Sequence, residues 1–243
     1  MLDLTLGILT YNAPKTLEKN LNRLFEKKVN CNLNEILLYI NPSKFSEHNI
    51  EQAEKFNIKY KLASENKWIA PAFKWIVENS QSNTVLLLED DFFLIEDDNE
   101  KIFNILNTSV SFLKENKTDV VRLRSRKNAG NPLYSSWFAG QEEKCMSHLA
   151  ECVHWRDNPD LDFPKHCQKI SENPVWYKFS SKNANFTNNP CIYRKNFYKE
   201  SIIPNYCLDF TDIETAATPW WSSQEFNVIA GDGLFCHDRL DGK

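Results

Sequence analysis

The chain has 243 residues, 42% of them hydrophobic, with 29 Lys and Arg against 33 Asp and Glu for a formal net charge of -4. That length suffices for one substantial core, as one large domain or two small ones. The mildly acidic balance argues against nucleic acid or an anionic membrane as the main partner.

The first half alternates between two periodicities. Leu2 to Thr10 reads as a strand, and Pro14 opens a helix whose apolar stripe is Leu17, Leu21, Leu24 and Phe25. Glu35 to Ile40 is a short apolar strand ended by Asn41-Pro42-Ser43. A polar helix is expected over Ser46 to Phe56, and a strand over Ile58 to Leu62. Asn66 to Asn79 reads as a helix with Trp68, Ala72, Trp75 and Ile76 on one face, and Pro71 must lie in its first turn or kink it. The strand Thr84 to Leu88 follows, then a helix over Asn99 to Lys114, then a strand over Asp119 to Leu123. Such alternation predicts a mainly parallel sheet with helices on both faces.

The second half reads differently. Between Asn128 and Asn189 there is little periodicity, but many Trp, Asn, Pro, Cys and His residues. Such length suggests a functional lid or short elements hidden from periodicity. A helix is expected after Lys195, and another over Thr215 to Asn227 despite Pro219. Asn227 to Ala230 and Gly233 to Cys236 read as a closing hairpin around Gly231-Asp232-Gly233, ending in His237. The run Arg122-Leu123-Arg124-Ser125-Arg126-Lys127 reads as a solvated strand end or an anion contact. Seven Cys, scattered without paired spacing, predict free thiols.

The chemistry concentrates where Val85-Leu86-Leu87-Leu88 runs into Glu89-Asp90-Asp91. Carboxylates at the rim of a core are costly unless paired or metal-bound. Three in a row read as a site for a divalent cation, with oxygen donors suited to Mg²⁺ or Mn²⁺; a plain acidic turn is the alternative. In open parallel sheets ligands bind at the carboxyl ends of strands. Thr10-Tyr11-Asn12, Asn41 and Glu89-Asp90-Asp91 all occupy such ends, which favours the metal reading.

These landmarks resemble a GT-A-type glycosyltransferase of the family 2-like kind. Leu6-Gly7-Ile8-Leu9-Thr10-Tyr11-Asn12 resembles that fold's opening strand, whose end touches the nucleotide. Glu65-Asn66-Lys67-Trp68-Ile69-Ala70-Pro71-Ala72 resembles the helix start before the metal-binding strand. Leu86-Leu87-Leu88-Glu89-Asp90-Asp91 is similar to the Asp-x-Asp signature in its Glu-Asp-Asp form. Asn189-Pro190-Cys191-Ile192-Tyr193-Arg194 resembles the acceptor-side segment, and Gly233-Leu234-Phe235-Cys236-His237 the late strand whose His completes the metal shell. Asn41 stands where many relatives carry an Asp that reads the base.

The resemblance implies one GT-A-like (Rossmann-like) catalytic domain over 1–243, with a nucleotide-sugar half at 1–127 and an irregular acceptor-side half at 128–243. It implies transfer of a sugar from a nucleotide-sugar, of UDP type, to a glycan, glycoconjugate or other hydroxyl acceptor, with inversion. Asp91 and His237 would ligate Mn²⁺ or Mg²⁺. Asp90 or Glu89 would hold the ribose or metal waters, and Thr10, Tyr11, Asn12, Asn41 and Asn66 would line the nucleotide. Arg239 would bind a phosphate or serve as a surface ion-pair partner. Asp212 or Glu214 would be the general base, with Asp212 preferred; helix capping is the alternative for both. Trp220 and Trp221 line the acceptor site or pack in the core.

Three rival readings remain. Cys145, His148, Cys152, His154, His166 and Cys167 crowd into one stretch and could form a zinc site, although no Cys-x-x-Cys pair occurs. A sugar nucleotidyltransferase shares the parallel sheet and acidic metal site, but Thr10-Tyr11-Asn12-Ala13-Pro14 replaces the Gly-rich loop expected of it. A catalytically inactive module with the same fold predicts no thermal response to metal or nucleotide-sugar. With no basic leader, no cleavage site and no apolar run of membrane-span length, the sequence as given reads as cytoplasmic.

Overall fold

The structure is a computed structural model and describes residues 1–205 and 213–241. Strands β1 (Leu4–Thr10), β2 (Glu35–Ile40), β3 (Lys59–Leu62) and β4 (Thr84–Glu89) alternate with helices α1 (Pro14–Glu26), α2 (Ser46–Lys55) and α3 (Ile69–Asn79). Next come β5 (Phe92–Leu94), α4 (Asn99–Lys114) and β6 (Val120–Arg122). The second half carries α5 (Pro159–Asp162), β7 (Gln168–Glu172), β8 (Val175–Ser180), β9 (Cys191–Arg194), α6 (Lys195–Phe197), α7 (Ile213–Ser222), β10 (Asn227–Gly231) and β11 (Phe235–His237).

Nine strands form one sheet in the order β3-β2-β1-β4-β9-β6-β10-β8-β7, and β11 pairs with β5 in a separate ribbon. The first four strands are mutually parallel, as the alternation predicted. Strand β9 runs antiparallel between β4 and β6, so β4, β6 and β10 still point the same way. The carboxyl ends of β1, β2, β4 and β6 and the amino end of β9 therefore share one edge. The sheet is mixed, with its parallel part where the nucleotide half was expected.

Both faces are buried. Leu4, Leu6, Ile8, Leu38, Leu86 and Leu88 pack with α1 and α4 on one face. Leu9, Leu37, Tyr39, Val85 and Leu87 pack with α3 on the other. Each fully buried Leu contributes about 1.5–3 kcal/mol, so the first half is anchored along its whole length. At Gly7 a Cβ would collide with Ile76, so glycine lets α3 lie directly on β1. Helix α4 begins at Asp98, whose carboxylate accepts the amides of Glu100 and Lys101 at 2.9 and 3.3 Å. Pro71 falls in the first turn of α3, where its missing N–H costs nothing.

Two expectations are corrected. The closing hairpin does not form: β10 pairs with β6 and β8, while β11 leaves the main sheet to pair with β5. The chain from Asp232 to Leu234 is a bent crossing segment between β10 and β11. The basic run is not solvated either. Arg122, Arg124 and Arg126 are buried and share one face by strand alternation. Arg122 meets Glu151 at 2.7 Å and donates to the Asn185 carbonyl. Arg124 donates to the carbonyls of Ala129 and Pro132, both at 2.8 Å. Arg126 donates to the carbonyls of Arg156 and Asp157 at 3.0 and 2.5 Å.

These arginines organise the stretch that lacked periodicity. It holds the β7–β8 hairpin and several short 3₁₀ turns, among them Tyr134–Phe138, Glu142–Lys144 and Met146–His154. Polar clamps fix it: the buried Glu142 carboxylate accepts Trp155 Nε1 at 2.7 Å and Arg156 Nε and Nη2 at 2.8 and 3.2 Å. The Arg156 hydrogen bond holds the Glu142 carboxyl down at about 2, against an ordinary 4.5. A depressed carboxyl stabilises the fold above its unfolded value and loses that contribution as pH falls toward its folded one. Glu142→Gln should therefore cost about 1–3 kcal/mol at pH 7, measured by urea denaturation. The gap from wild type should shrink between pH 4.5 and 3; a gap constant with pH would contradict the assignment.

Candidate active site

The strand-end acidic residues have three different environments. Asp90 is buried, and its carboxylate accepts the Thr10 hydroxyl at 2.5 Å and the Tyr11 amide at 3.1 Å. It is turned toward the loop after β1 and fixes that loop to the end of β4. Desolvation, and then the neighbouring Asp91 charge, push the Asp90 carboxyl up to about 7, against the opposing Thr10 bond. Glu89 is pushed well above the ordinary range by desolvation, then by the carboxylates of Asp91, Glu214 and Asp90; Arg239 opposes this. Glu89 thus stands within electrostatic reach of both Asp91 and Glu214.

Asp91 meets the other end of the chain. The β5–β11 ribbon sets His237 opposite Phe92, and the Asp238 amide donates to the Asp91 carbonyl at 2.8 Å. His237 Nε2 then lies 3.3 Å from Asp91 Oδ2. Asp91 Oδ1 and His237 Nδ1 are both buried without a hydrogen-bond partner. Unpartnered buried polar atoms are uncommon in folded proteins and call for an explanation. A carboxylate and an imidazole side by side suit a divalent cation such as Mn²⁺ or Mg²⁺. Among the described residues no group of three or more His, Cys, Asp or Glu could hold a metal alone. The pair fits a cation that takes its remaining donors from a bound ligand and water.

The residues expected to line the nucleotide sit after β1, at the end of β2 and just before α3. Tyr11 is exposed and Asn12 adopts a left-handed backbone. Arg239 Nη2 donates to the Tyr11 carbonyl at 3.1 Å. Asn41 is buried at the end of β2; its amide donates to the Trp68 carbonyl at 3.1 Å and accepts from the Lys67 amide at 3.4 Å. Asn66 accepts the Trp68 amide at 3.0 Å. Both asparagines hold the entry to α3, where Trp68 stands exposed at φ 62°. Positive φ in a bulky residue is strained and tends to mark functional sites. The sequence reading put Trp68 on the packed face of α3, but that helix begins one residue later.

A cleft of about 550 Å³ is lined among others by Arg124, Trp137, Glu151, Thr187, Asn189 and Glu214. Glu214, in the first turn of α7, accepts the Thr187 hydroxyl at 2.8 Å and the Asn188 amide at 2.5 Å. Asp212 lies outside the described residues. Trp221 is a core residue: it is buried, and its Nε1 donates to the Ala184 carbonyl at 2.7 Å. Trp220 is half-buried against Phe226. Pro219 and Thr218, not these tryptophans, face the cleft.

The suspected zinc ligands do not converge among the described residues. His148 bonds Ser147, and His154 lies 3.6 Å from Glu151. Cys152 and Cys167 are buried free thiols, and desolvation pushes Cys167 up to about 12. The described cysteines are free, as their spacing predicted.

One long-range contact had no local signal. Helix α1 starts after Ala13, which offers no side-chain cap, and its first turn has no acidic residue. Asp241 supplies the cap from the far end of the sequence, accepting the Thr16 amide at 2.8 Å and the Thr16 hydroxyl at 2.7 Å. This clasp ties His237 to Asp241 across the loop that carries Tyr11. Asp241→Ala should destabilise the fold by about 1 kcal/mol and Asp241→Asn by much less, in urea denaturation. Equal losses would show that charge, not capping, holds the tail.

Among the described residues no helix is long and apolar enough to cross a membrane. No curated protein matches the chain. Solved structures share its fold. TarS 1-349 of S. aureus in complex with UDP-GlcNAc aligns with TM-score 0.60 at 14% identity, over 100% of this chain and 60% of that one. The mannosyltransferase PcManGT of Pyrobaculum calidifontis, in complex with GDP-Man and Mn²⁺, aligns with TM-score 0.59 at 11% identity, over 97% and 56%. GalNAc-T7 with UDP, GalNAc and Mn²⁺ aligns with TM-score 0.61 at 12% identity, over 98% and 44%. The chain thus spans 60% or less of the length of each of these relatives. Their common architecture is the GT-A fold, and residues 5–130 match the family model described as "Glycosyl transferase family 2". The chain belongs to glycosyl transferase family 2.

Proposed function

We propose that the protein is a metal-dependent glycosyltransferase that moves a sugar from a nucleotide-sugar, of UDP type, to a hydroxyl acceptor with inversion. The observation that carries this reading is the Asp91–His237 contact at the shared strand edge, with an unpartnered buried atom on each residue. In this reading Glu89-Asp90-Asp91 is the Glu-Asp-Asp form of the Asp-x-Asp motif. Residues 1–127 bind the donor and 128–243 bind the acceptor.

Asp91 and His237 would hold Mn²⁺ or Mg²⁺. Such a cation acts as a Lewis acid that stabilises the charge growing on a departing diphosphate. Asp90 fixes the loop of Thr10, Tyr11 and Asn12, so that Tyr11 presents its ring to the base. Asn41 and Asn66 act one step back, by holding Trp68 at the same edge. Arg239 adds positive charge beside the acidic cluster for the phosphates. Glu89 is left to meet the ribose or the metal-bound waters.

The acceptor oxygen forms a bond to the anomeric carbon while the bond to the diphosphate breaks, its electron pair leaving on the phosphate oxygen. The proton of the acceptor hydroxyl goes to a carboxylate of the Asp212–Glu214 segment. Attack opposite the leaving group inverts the anomeric centre. Glu214 lines the cleft next to the acidic edge, which supports a base in this segment.

A screen of nucleotide-sugars should find Mn²⁺-dependent hydrolysis that Asp91→Ala and His237→Ala reduce at least about 100-fold. Hydrolysis that survives both substitutions would overturn the metal assignment. Of Asp212→Asn and Glu214→Gln, one should lower kcat by about 10²–10⁴-fold with little change in donor KM. Full activity in both would remove the base from this segment.

A further inference from the structure

The cleft beside Glu214 has a composition that the donor chemistry does not require. One wall is a ladder of rings: Trp137 and Phe138 have centroids 5.7 Å apart, and Phe138 and His148 4.7 Å apart. Trp137 heads this ladder from the turn Tyr134–Phe138 and is 68% exposed. The cleft is also lined by the neutral polar residues Asn185, Thr187 and Asn189, whose side chains are steadied by hydrogen bonds to Arg122, Glu214 and Arg124 respectively. An indole face packs on the C–H face of a pyranose, while amides and hydroxyls match sugar hydroxyls in both donor and acceptor roles.

We infer that Trp137 is a sugar-stacking platform and that the acceptor is an uncharged glycan of at least two rings, one beside Glu214 and the next on Trp137. This rests on the transferase reading and names the substrate class of that site. The cleft, at about 550 Å³, is within the roughly 300–1,000 Å³ range of pockets that enclose a multi-ring ligand.

The charges in the cleft select against an anionic acceptor. Arg124 is its arginine, but the guanidinium faces the protein: Nε donates to Ala129, Nη2 to Pro132, and Nη1 to Asn189 Oδ1 at 3.1 Å. Glu151 is taken by Arg122 at 2.7 Å and Ser135 at 3.1 Å. Desolvation holds the His148 imidazole below its ordinary value, which keeps it neutral at pH 7. A phosphate or uronate entering here would meet the Glu214 carboxylate without a cation directed at it from the described lining residues.

The test uses the whole protein with Mn²⁺, the nucleotide-sugar it hydrolyses, and a panel of acceptors. Neutral disaccharides (chitobiose, cellobiose, lactose, mannobiose) are set against glycerol 3-phosphate and glucuronic acid. A neutral disaccharide should stimulate nucleotide release. Trp137→Ala should raise its KM about tenfold, Trp137→Phe should restore most of that loss, and the matching monosaccharide should be affected far less. Saturation-transfer NMR should show the disaccharide on the wild type and lose it in Trp137→Ala. Stimulation by the anionic compounds alone, or unchanged KM and NMR transfer in Trp137→Ala, would overturn the inference. Donor hydrolysis without acceptor reports separately on the transferase reading. If no nucleotide-sugar is hydrolysed, that reading fails, while the NMR comparison still decides whether Trp137 binds neutral sugar.

Discussion

Asp91 and His237, 146 residues apart in a 243-residue chain, meet because β11 leaves the main sheet and pairs with β5. The acidic edge depends on that meeting. Two like charges about 4 Å apart repel by about 4 kcal/mol at the effective dielectric near a protein surface. Whole domains are stable by only about 5–15 kcal/mol. Glu89, Asp90 and Asp91 crowd one strand end, and desolvation first, then that repulsion, displaces the Glu89 and Asp90 carboxyls upward. In the proposed reading, a divalent cation held by Asp91 and His237 would relieve that repulsion and favour an anionic diphosphate at this edge.

The rest of the fold serves that edge. Parallel strands β1, β2 and β4 deliver their carboxyl ends to one side. The buried Asp90 ties the first of these ends to the third, so the Tyr11 loop cannot drift from the acidic turn. The antiparallel β9 lets β6 run in the same direction as β4, which brings Arg124 and Asn189 beside Glu214. Glu89 is raised by desolvation and then by the charges of Asp91 and Glu214, so the acidic edge and the cleft lined by Glu214 influence one another electrostatically.

The parallel half of the fold was legible in the sequence because its cues are local. Periodicity and Pro14 set the helix starts, and aliphatic runs set the strands. The acidic triplet stood out in the sequence because three carboxylates directly follow an apolar strand. What escaped was non-local. The destination of β11 depends on β5, which is three residues long and has no period of its own. Arg122, Arg124 and Arg126 looked like a solvated run because their partners follow no periodic pattern: Glu151 and the Arg156 carbonyl lie 29 and 30 residues away, and the Ala129 carbonyl five residues on. Asp241 caps a helix that begins more than two hundred residues earlier. Trp221, in a helical pattern, is core, and Trp137, from the aperiodic stretch and without a sequence signal, faces the cleft.

The most direct test is a crystal structure with Mn²⁺ and UDP, read by anomalous scattering at the manganese edge. The account predicts a single strong peak in contact with Asp91 and His237, with the diphosphate completing its coordination. A peak elsewhere, or UDP bound far from this pair with the two side chains still facing only each other, would contradict it.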